Sequence, residues 1–229
     1  MRALILAAGR GERMRPLTDH TPKPLLRVRG KPLIEWHIEA LARGGVRHIV
    51  INTAWLEEQF PEQLGDGARF GVALHYSHEQ RDHGGALETA GGIANALPLL
   101  RADGDDCFWV VSGDVFLQGF EFDAAKARSF SNGQDLAHLW MVTNAPHHPM
   151  GDFAITPEGR VRLSGGPRYT WASVGLYRAA MFEHLASGER MALLPCLEAA
   201  IEHDALGAEL YTGFWLDVGT VERLQAINT

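Results

Sequence analysis

Short apolar runs recur along the chain, separated by stretches in which apolar positions repeat at helical spacing. Arg2-Ala3-Leu4-Ile5-Leu6, Arg47-His48-Ile49-Val50-Ile51-Asn52 and Val72-Ala73-Leu74-His75-Tyr76 are each long enough for one strand and too short for a helix. Between the first two, Pro32 to Leu41 reads as an amphipathic helix, ended by Gly44-Gly45. Residues 55–64 predict another helix, up to Gly65, and Ile93 to Leu97 looks helical after a glycine-rich stretch. Cys107-Phe108-Trp109-Val110-Val111 is nearly all apolar, as a central parallel strand should be. Asp135 to Val142 and Phe214 to Leu216 predict further strands. Strands alternating with helices argue an α/β fold: one Rossmann-like domain over residues 1–229, its mixed, mainly parallel sheet flanked by helices.

The ends of the strands hold the chemistry. The first breaks into Ala7-Ala8-Gly9-Arg10-Gly11-Glu12-Arg13-Met14, and Thr21-Pro22-Lys23-Pro24-Leu25 follows, with a lysine between two prolines. A glycine turn at a strand end exposes backbone N–H groups, and small side chains let an anion approach them. With Arg13, Arg15 and Lys23 added, the natural ligand is a polyphosphate. Ser112-Gly113-Asp114 and Leu216-Asp217 each put a carboxylate at a strand's carboxyl end, where open α/β sheets bind ligands. Thr220 fits a helix cap just beyond. Two such acids beside a polyphosphate make a magnesium site, because Mg²⁺ takes few carboxylates and fills its shell with phosphate oxygens and water.

Charge sharpens this picture. Residues 9–31 carry seven Lys or Arg and two acids, a net of +5 inside a chain of −7, so the other 206 residues hold −12. A concentrated positive patch on an acidic protein steers a small anion well and a nucleic-acid backbone poorly. Hydrophobic residues at 46% and charged residues at 21% are ordinary for a soluble domain, and no apolar run approaches a membrane span or a signal peptide. Cys107 and Cys196 lack metal spacing and are expected as reduced core residues of a cytoplasmic protein. His75, His78 and His83 with Asp82 fit no zinc pattern. Dinucleotide binding would need a third glycine where Met14 stands, and no Gly-Lys-Ser/Thr of a P-loop occurs.

Leu6-Ala7-Ala8-Gly9-Arg10-Gly11-Glu12-Arg13-Met14 followed by Pro22-Lys23-Pro24 resembles the signature of the sugar-phosphate nucleotidyltransferases. The resemblance implies the reaction NTP + sugar 1-phosphate → NDP-sugar + pyrophosphate. It implies nucleotide contacts from Ala7, Ala8, Gly9, Gly11 and Gly113, and catalytic roles for Arg13 and Lys23. Glu88, Gly91 and Gly92 match the family's base-contacting segment, Gly151 and Asp152 its sugar-binding turn, and Asp114 and Asp217 its Mg²⁺-binding pair. On this reading residues 1 to about 118 hold the nucleotide and about 119 to 229 the sugar. Among its members the chain looks most like short uridylyltransferases of cell-wall sugar recycling, which implies UTP and N-acetylmuramate 1-phosphate; guanylyl- and thymidylyltransferases of mannose or glucose 1-phosphate share the chemistry.

Two departures stand out. Tyr169 to Tyr177 resembles a family strand, yet Ser173 stands where relatives often have glycine. Lysines are only Lys23, Lys31 and Lys126, so Arg160, Arg162 and Arg168 are open candidates for the sugar phosphate, while His147 and His148 read as surface residues. A nucleotide-sensing domain without turnover and a dinucleotide-dependent oxidoreductase are the competing readings.

Overall fold

In a computed structural model that describes residues 1–229, the first apolar run is strand β1 (Arg2–Leu6), and its period-two alternation divides the interior. Ala3 and Ile5 point into one core layer and Leu4 into the other, all fully buried. A short hairpin, β2 (Arg27–Val28) and β3 (Lys31–Pro32), leads to α1 (Leu33–Arg43). Then come β4 (His48–Thr53), α2 (Gln59–Leu64), β5 (Ala73–His78), α3 (Glu79–His83), α4 (Glu88–Leu100) and β6 (Cys107–Ser112). The second half adds β7 (Val115–Gln118), α5 (Ala124–Asn132), β8 (Ala137–Val142), β9 (Phe153–Ile155), β10 (Val161–Arg162) and β11 (Arg168–Arg178). It closes with α6 (Leu194–Glu202), β12 (Leu206–Leu210), β13 (Phe214–Asp217) and α7 (Val221–Asn228).

Nine strands form one mixed sheet. β6, β1, β4 and β5 run parallel side by side, β11 lies antiparallel to β6, and β8 with β12 extends the sheet beyond it. The long β11 also carries β9, which pairs with β10. Helices α1, α2 and α5 cover the face of Ala3 and Ile5, and α4 and α6 cover the face of Leu4. The carboxyl ends of β1, β4 and β6 therefore open at one edge, each strand handing its chain to a loop there.

Three expectations need correction. The helix before Gly65 starts only at Gln59. Helix α4 starts at Glu88, so Gly91 and Gly92 lie inside it instead of opening it. The run ending in Asp217 is not a strand of the main sheet: β13 pairs antiparallel with β7 as a separate ribbon, Asp217 opposite Val115. That ribbon is sealed by Phe116, Val218, Leu224 and Ile227, with α7 packed beneath it. Thr220 caps α7 by accepting the Arg223 N–H.

Candidate functional site

The turn after β1 is shaped by Gly11. Its φ of +69° is left-handed, and a Cβ there would lie 2.9 Å from the Thr18 methyl. Gly9 has open space where a side chain would be. Ala7, Ala8, Gly9, Gly11 and Arg13 line a cleft of about 520 Å³ together with Lys23, Asn52, Glu88, Thr89, Ser112, Asp114 and Arg190. Of the seven cations in the basic stretch, Arg10, Arg13 and Lys23 reach this cleft. Arg10 stacks on Trp55, while Arg15 pairs with Asp19 and Lys31 with Glu39.

A second cleft of about 480 Å³ shares Leu6, Arg13, Thr89, Ser112 and Asp114 with the first. Its far wall comes from His147, His148, Asp152, Thr170, Trp171, Ser173, Trp215 and Asp217. Asp152 is fixed at both oxygens, accepting the Trp171 N–H at 2.8 Å and sitting 3.0 Å from His148 Nε2.

The shared wall concentrates charge. Lys23, with 8% of its side chain exposed, donates to Asp114 Oδ2 at 2.6 Å, and Ser112 Oγ donates to Asp114 Oδ1 at 2.7 Å. Burial pushes the Asp114 pKa up, but the Lys23 charge and these hydrogen bonds outweigh it and hold the carboxyl below its ordinary value. The ribbon brings the second acid alongside, since Val218 N–H donates to the Asp114 carbonyl at 3.0 Å. Asp217 accepts from Arg223 Nη1 at 2.7 Å, and His147 Nε2 lies 2.8 Å from the same nitrogen. Asp114 and Asp217 thus face one cleft as hard-oxygen donors with lone pairs to spare, a set that suits Mg²⁺ completed by phosphate oxygens. No group of three or more His, Cys, Asp or Glu forms an all-protein metal cage, and His75, His78 and His83 go to separate partners: His48, Thr53 and Asn95.

Several expected residues are close by but do not line either cleft. Gly113 donates its N–H to the Leu6 carbonyl at 2.8 Å, and its missing side chain makes room for Pro24. Gly91 gives its N–H to the Met191 carbonyl, and a Cβ on it would lie 2.2 Å from the Glu189 carbonyl oxygen. Gly92 leaves room for Glu79 and Asn52, and Gly151 for Asn144. These four glycines set spacing; their side-chain positions are filled by protein. Arg160 and Arg162 are tied to Asp135 and Asp204, and Arg168 binds the carbonyls of Gly151 and Asp152, so none of the three reaches the second cleft. His147 and His148, read as surface residues, keep 42% and 41% of their side chains exposed and also line it.

Sequence reading passed over Asn52 and Arg190. Asn52 was findable, because a polar residue ending an apolar strand is the same signal that marked Asp114. Arg190 was not. It sits in an irregular stretch and arrives through backbone pairing, Met191 N–H to the Leu87 carbonyl and Gly91 N–H to the Met191 carbonyl, both 3.0 Å. There it donates to Glu88 Oε1 at 3.0 Å across the mouth of the first cleft.

Known proteins resemble the chain in sequence and in fold. The chain is 50% identical over 228 residues to the N-acetylmuramate alpha-1-phosphate uridylyltransferase of Neisseria meningitidis serogroup B, spanning 98% of this chain and 96% of that one. It is 35% identical to the mannose-1-phosphate guanylyltransferase of Mycobacterium tuberculosis over 96% of this chain but 61% of that longer protein. Its fold matches a structure described as a glucose-1-phosphate thymidylyltransferase of Bacillus anthracis in complex with sucrose, with a TM-score of 0.84, 22% identity, and coverage of 100% of this chain and 94% of that one. The family model for nucleotidyl transferases matches residues 2–229, and the chain belongs to that family.

Proposed function

We propose that the chain transfers a uridylyl group from UTP to N-acetylmuramate 1-phosphate, releasing pyrophosphate, with Mg²⁺ as cofactor and in the service of cell-wall sugar recycling. One observation carries the two-substrate reading: two clefts meet at a wall made of Arg13, Ser112 and Asp114. The choice of sugar and base rests on the 50% identity that runs almost the full length of both chains.

The reaction needs charge held and two anions aligned. An oxygen of the sugar phosphate forms a bond to the α-phosphorus of UTP while the bond to the bridging oxygen breaks. Pyrophosphate leaves with that electron pair. The attacking phosphate is already ionised at neutral pH, so no side chain has to remove a proton. Arg13 and the backbone from Ala8 to Gly11 hold the departing phosphates. Lys23, fixed between two prolines and nearly buried, places its charge where the α-phosphate gathers negative charge. Mg²⁺, held by Asp114 and Asp217, would supply Lewis-acid charge neutralisation between the phosphates. Asp152, braced by Trp171 and His148, is positioned to accept hydrogen bonds from sugar hydroxyls.

No helix is long and apolar enough to cross a membrane, and Cys107 and Cys196 are buried and free, which supports a reducing, cytoplasmic setting. The test is pyrophosphate release with four NTPs against muramate, glucosamine, glucose and mannose 1-phosphates. UTP with N-acetylmuramate 1-phosphate should give the highest kcat/KM. A preference of about tenfold or more for GTP with mannose 1-phosphate would reverse the assignment.

A further inference from the structure

Beneath the first cleft lies a buried hydrogen-bond chain that none of the proposed chemistry uses. Ala7 N–H donates to Asn52 Oδ1 at 2.8 Å, Asn52 Nδ2 donates to Glu79 Oε1 at 2.7 Å, and Leu87 N–H donates to Glu79 Oε2 at 2.8 Å. Glu79 is fully buried, and Asn52 is 2% exposed. The polarity admits no alternative. Ala7 offers only a donor, so the amide oxygen of Asn52 must face it and the amide nitrogen must face Glu79, which has to accept twice. Gly92 completes the arrangement, since a Cβ there would lie 2.6 Å from Glu79 Oε1 and 2.7 Å from Asn52 Nδ2.

We propose that Glu79 and Asn52 are a positioning pair that fixes the separation of the two backbone segments gripping the nucleotide, the turn after β1 and the start of α4. A carboxylate out of water is costly, and burial pushes the Glu79 pKa up against the pull of its two donors. An apolar residue would avoid that cost but leave the Leu87 N–H and the Asn52 amide unpaired. One of those donors belongs to the start of α4 and the other is anchored on the turn, so one side chain ties both. Glu79 lines neither cleft, and its effect reaches UTP through Ala7, Leu87 and Asn52, which lines the first cleft. The inference rests on the nucleotide-binding reading of the cleft.

The polarity supplies the test. Glu79→Gln puts a donor where two donors already point, and Asn52→Asp sets a second carboxylate against Glu79. In the double variant the new glutamine amide donates to the new aspartate, which still accepts from Ala7, while the glutamine oxygen accepts from Leu87. Each single change should speed amide exchange at both Ala7 and Leu87 by about tenfold or more, and the double variant should restore both to within about threefold of wild type. Glu79→Gln should also raise the KM for UTP about tenfold with kcat within about threefold. If Glu79→Gln alone fails to fold, a folded double variant supports the pair and an unfolded one overturns it. Loosening at Leu87 without loosening at Ala7, or a double variant no better protected than the worse single one, would overturn the pair. Exchange is read without substrate, so absence of turnover in the wild type would sink the functional reading and leave this result standing.

Discussion

On the nucleotide side of the cleft Lys23, Asn52 and Glu79 are all nearly buried, and each is tied by hydrogen bonds to the carboxyl ends of β1, β4 or β6 or to the start of α4. On the acceptor side His147, His148 and Asp152 keep between 35% and 42% of their side chains exposed and stand on loops. On the proposed function, the difference follows from what each side would recognise. A triphosphate presents the same anion whatever its base, so rigid backbone donors and buried charge would serve it, and rigidity would remove reorganisation from the reaction. A sugar is read by adjustable polar groups on connecting segments, where sequence can change without breaking the sheet. Asp114 and Asp217 sit on the seam, one at the end of β6 and the other on the separate ribbon.

The comparison predicts that damage to the seam and to Lys23 falls on kcat, damage to the buried supports of the nucleotide side on the KM for UTP, and damage to the acceptor side on the KM for sugar phosphate. Chelating divalent cations should have the largest effect, about 10³-fold or more in turnover, restored by Mg²⁺ titration. Lys23→Ala should lower kcat by about 10²–10³ and leave the KM for sugar phosphate within about threefold. A kcat within about twofold of wild type would mean that Lys23 contributes less than ~0.5 kcal/mol to the transition state. Asp114→Asn and Asp217→Asn should each raise the Mg²⁺ needed for half-maximal turnover about tenfold or more, and the double variant should be little worse than either single one. Near-normal Mg²⁺ dependence in Asp217→Asn would place the ribbon outside the metal site.

Much of the nucleotide side was legible because its signals are local. A strand of five residues, a glycine turn and a Pro-Lys-Pro stretch lie within the first 25 residues, and the same turn geometry demands them in one order. The α/β alternation was legible for the same reason. The partner strand of Asp217 was not: β13 and β7 are about a hundred residues apart, and four alternating residues look alike in a sheet or a ribbon. The packing of Gly91, Gly92 and Gly113 was not legible, because a glycine needed for close packing and one needed for a phosphate are identical in sequence. Only the neighbours of the absent Cβ separate them. His147 and His148 entered the acceptor cleft through a loop whose course no periodicity encodes.

Smaller effects test the acceptor side. Asp152→Asn keeps the shape but weakens acceptance of the Trp171 N–H and the contact to His148. It should raise the KM for sugar phosphate about tenfold while the KM for UTP stays within about twofold. An equal rise in both would show that the two clefts do not act separately.

The smallest expected effect is at Ser173, and it asks whether the acceptor side stores strain. Ser173 has φ of +60°, in the stretch of β11 where the pairing with β8 shifts register between Trp171 and Gly175, and it lines the acceptor cleft. A left-handed backbone costs an L-residue about 1–2 kcal/mol, and glycine avoids this but loses about 0.5–1 kcal/mol to the entropy of its unfolded chain. Ser173→Gly should therefore stabilise the fold by about 0.5 kcal/mol, a rise of about 1–2 °C in Tm for a chain of this size. Strain of this kind persists where the surroundings overdetermine it, and here the residue lines the cleft. Ser173→Ala separates the two contributions, because it keeps the strained backbone and removes the hydroxyl. If the strain aims the hydroxyl at the sugar, both variants raise the KM for sugar phosphate a few-fold, yet only the glycine raises Tm. A Tm gain in the glycine variant with unchanged KM in both would make the bulge a packing feature of β11 and confine acceptor recognition to Asp152 and the histidines.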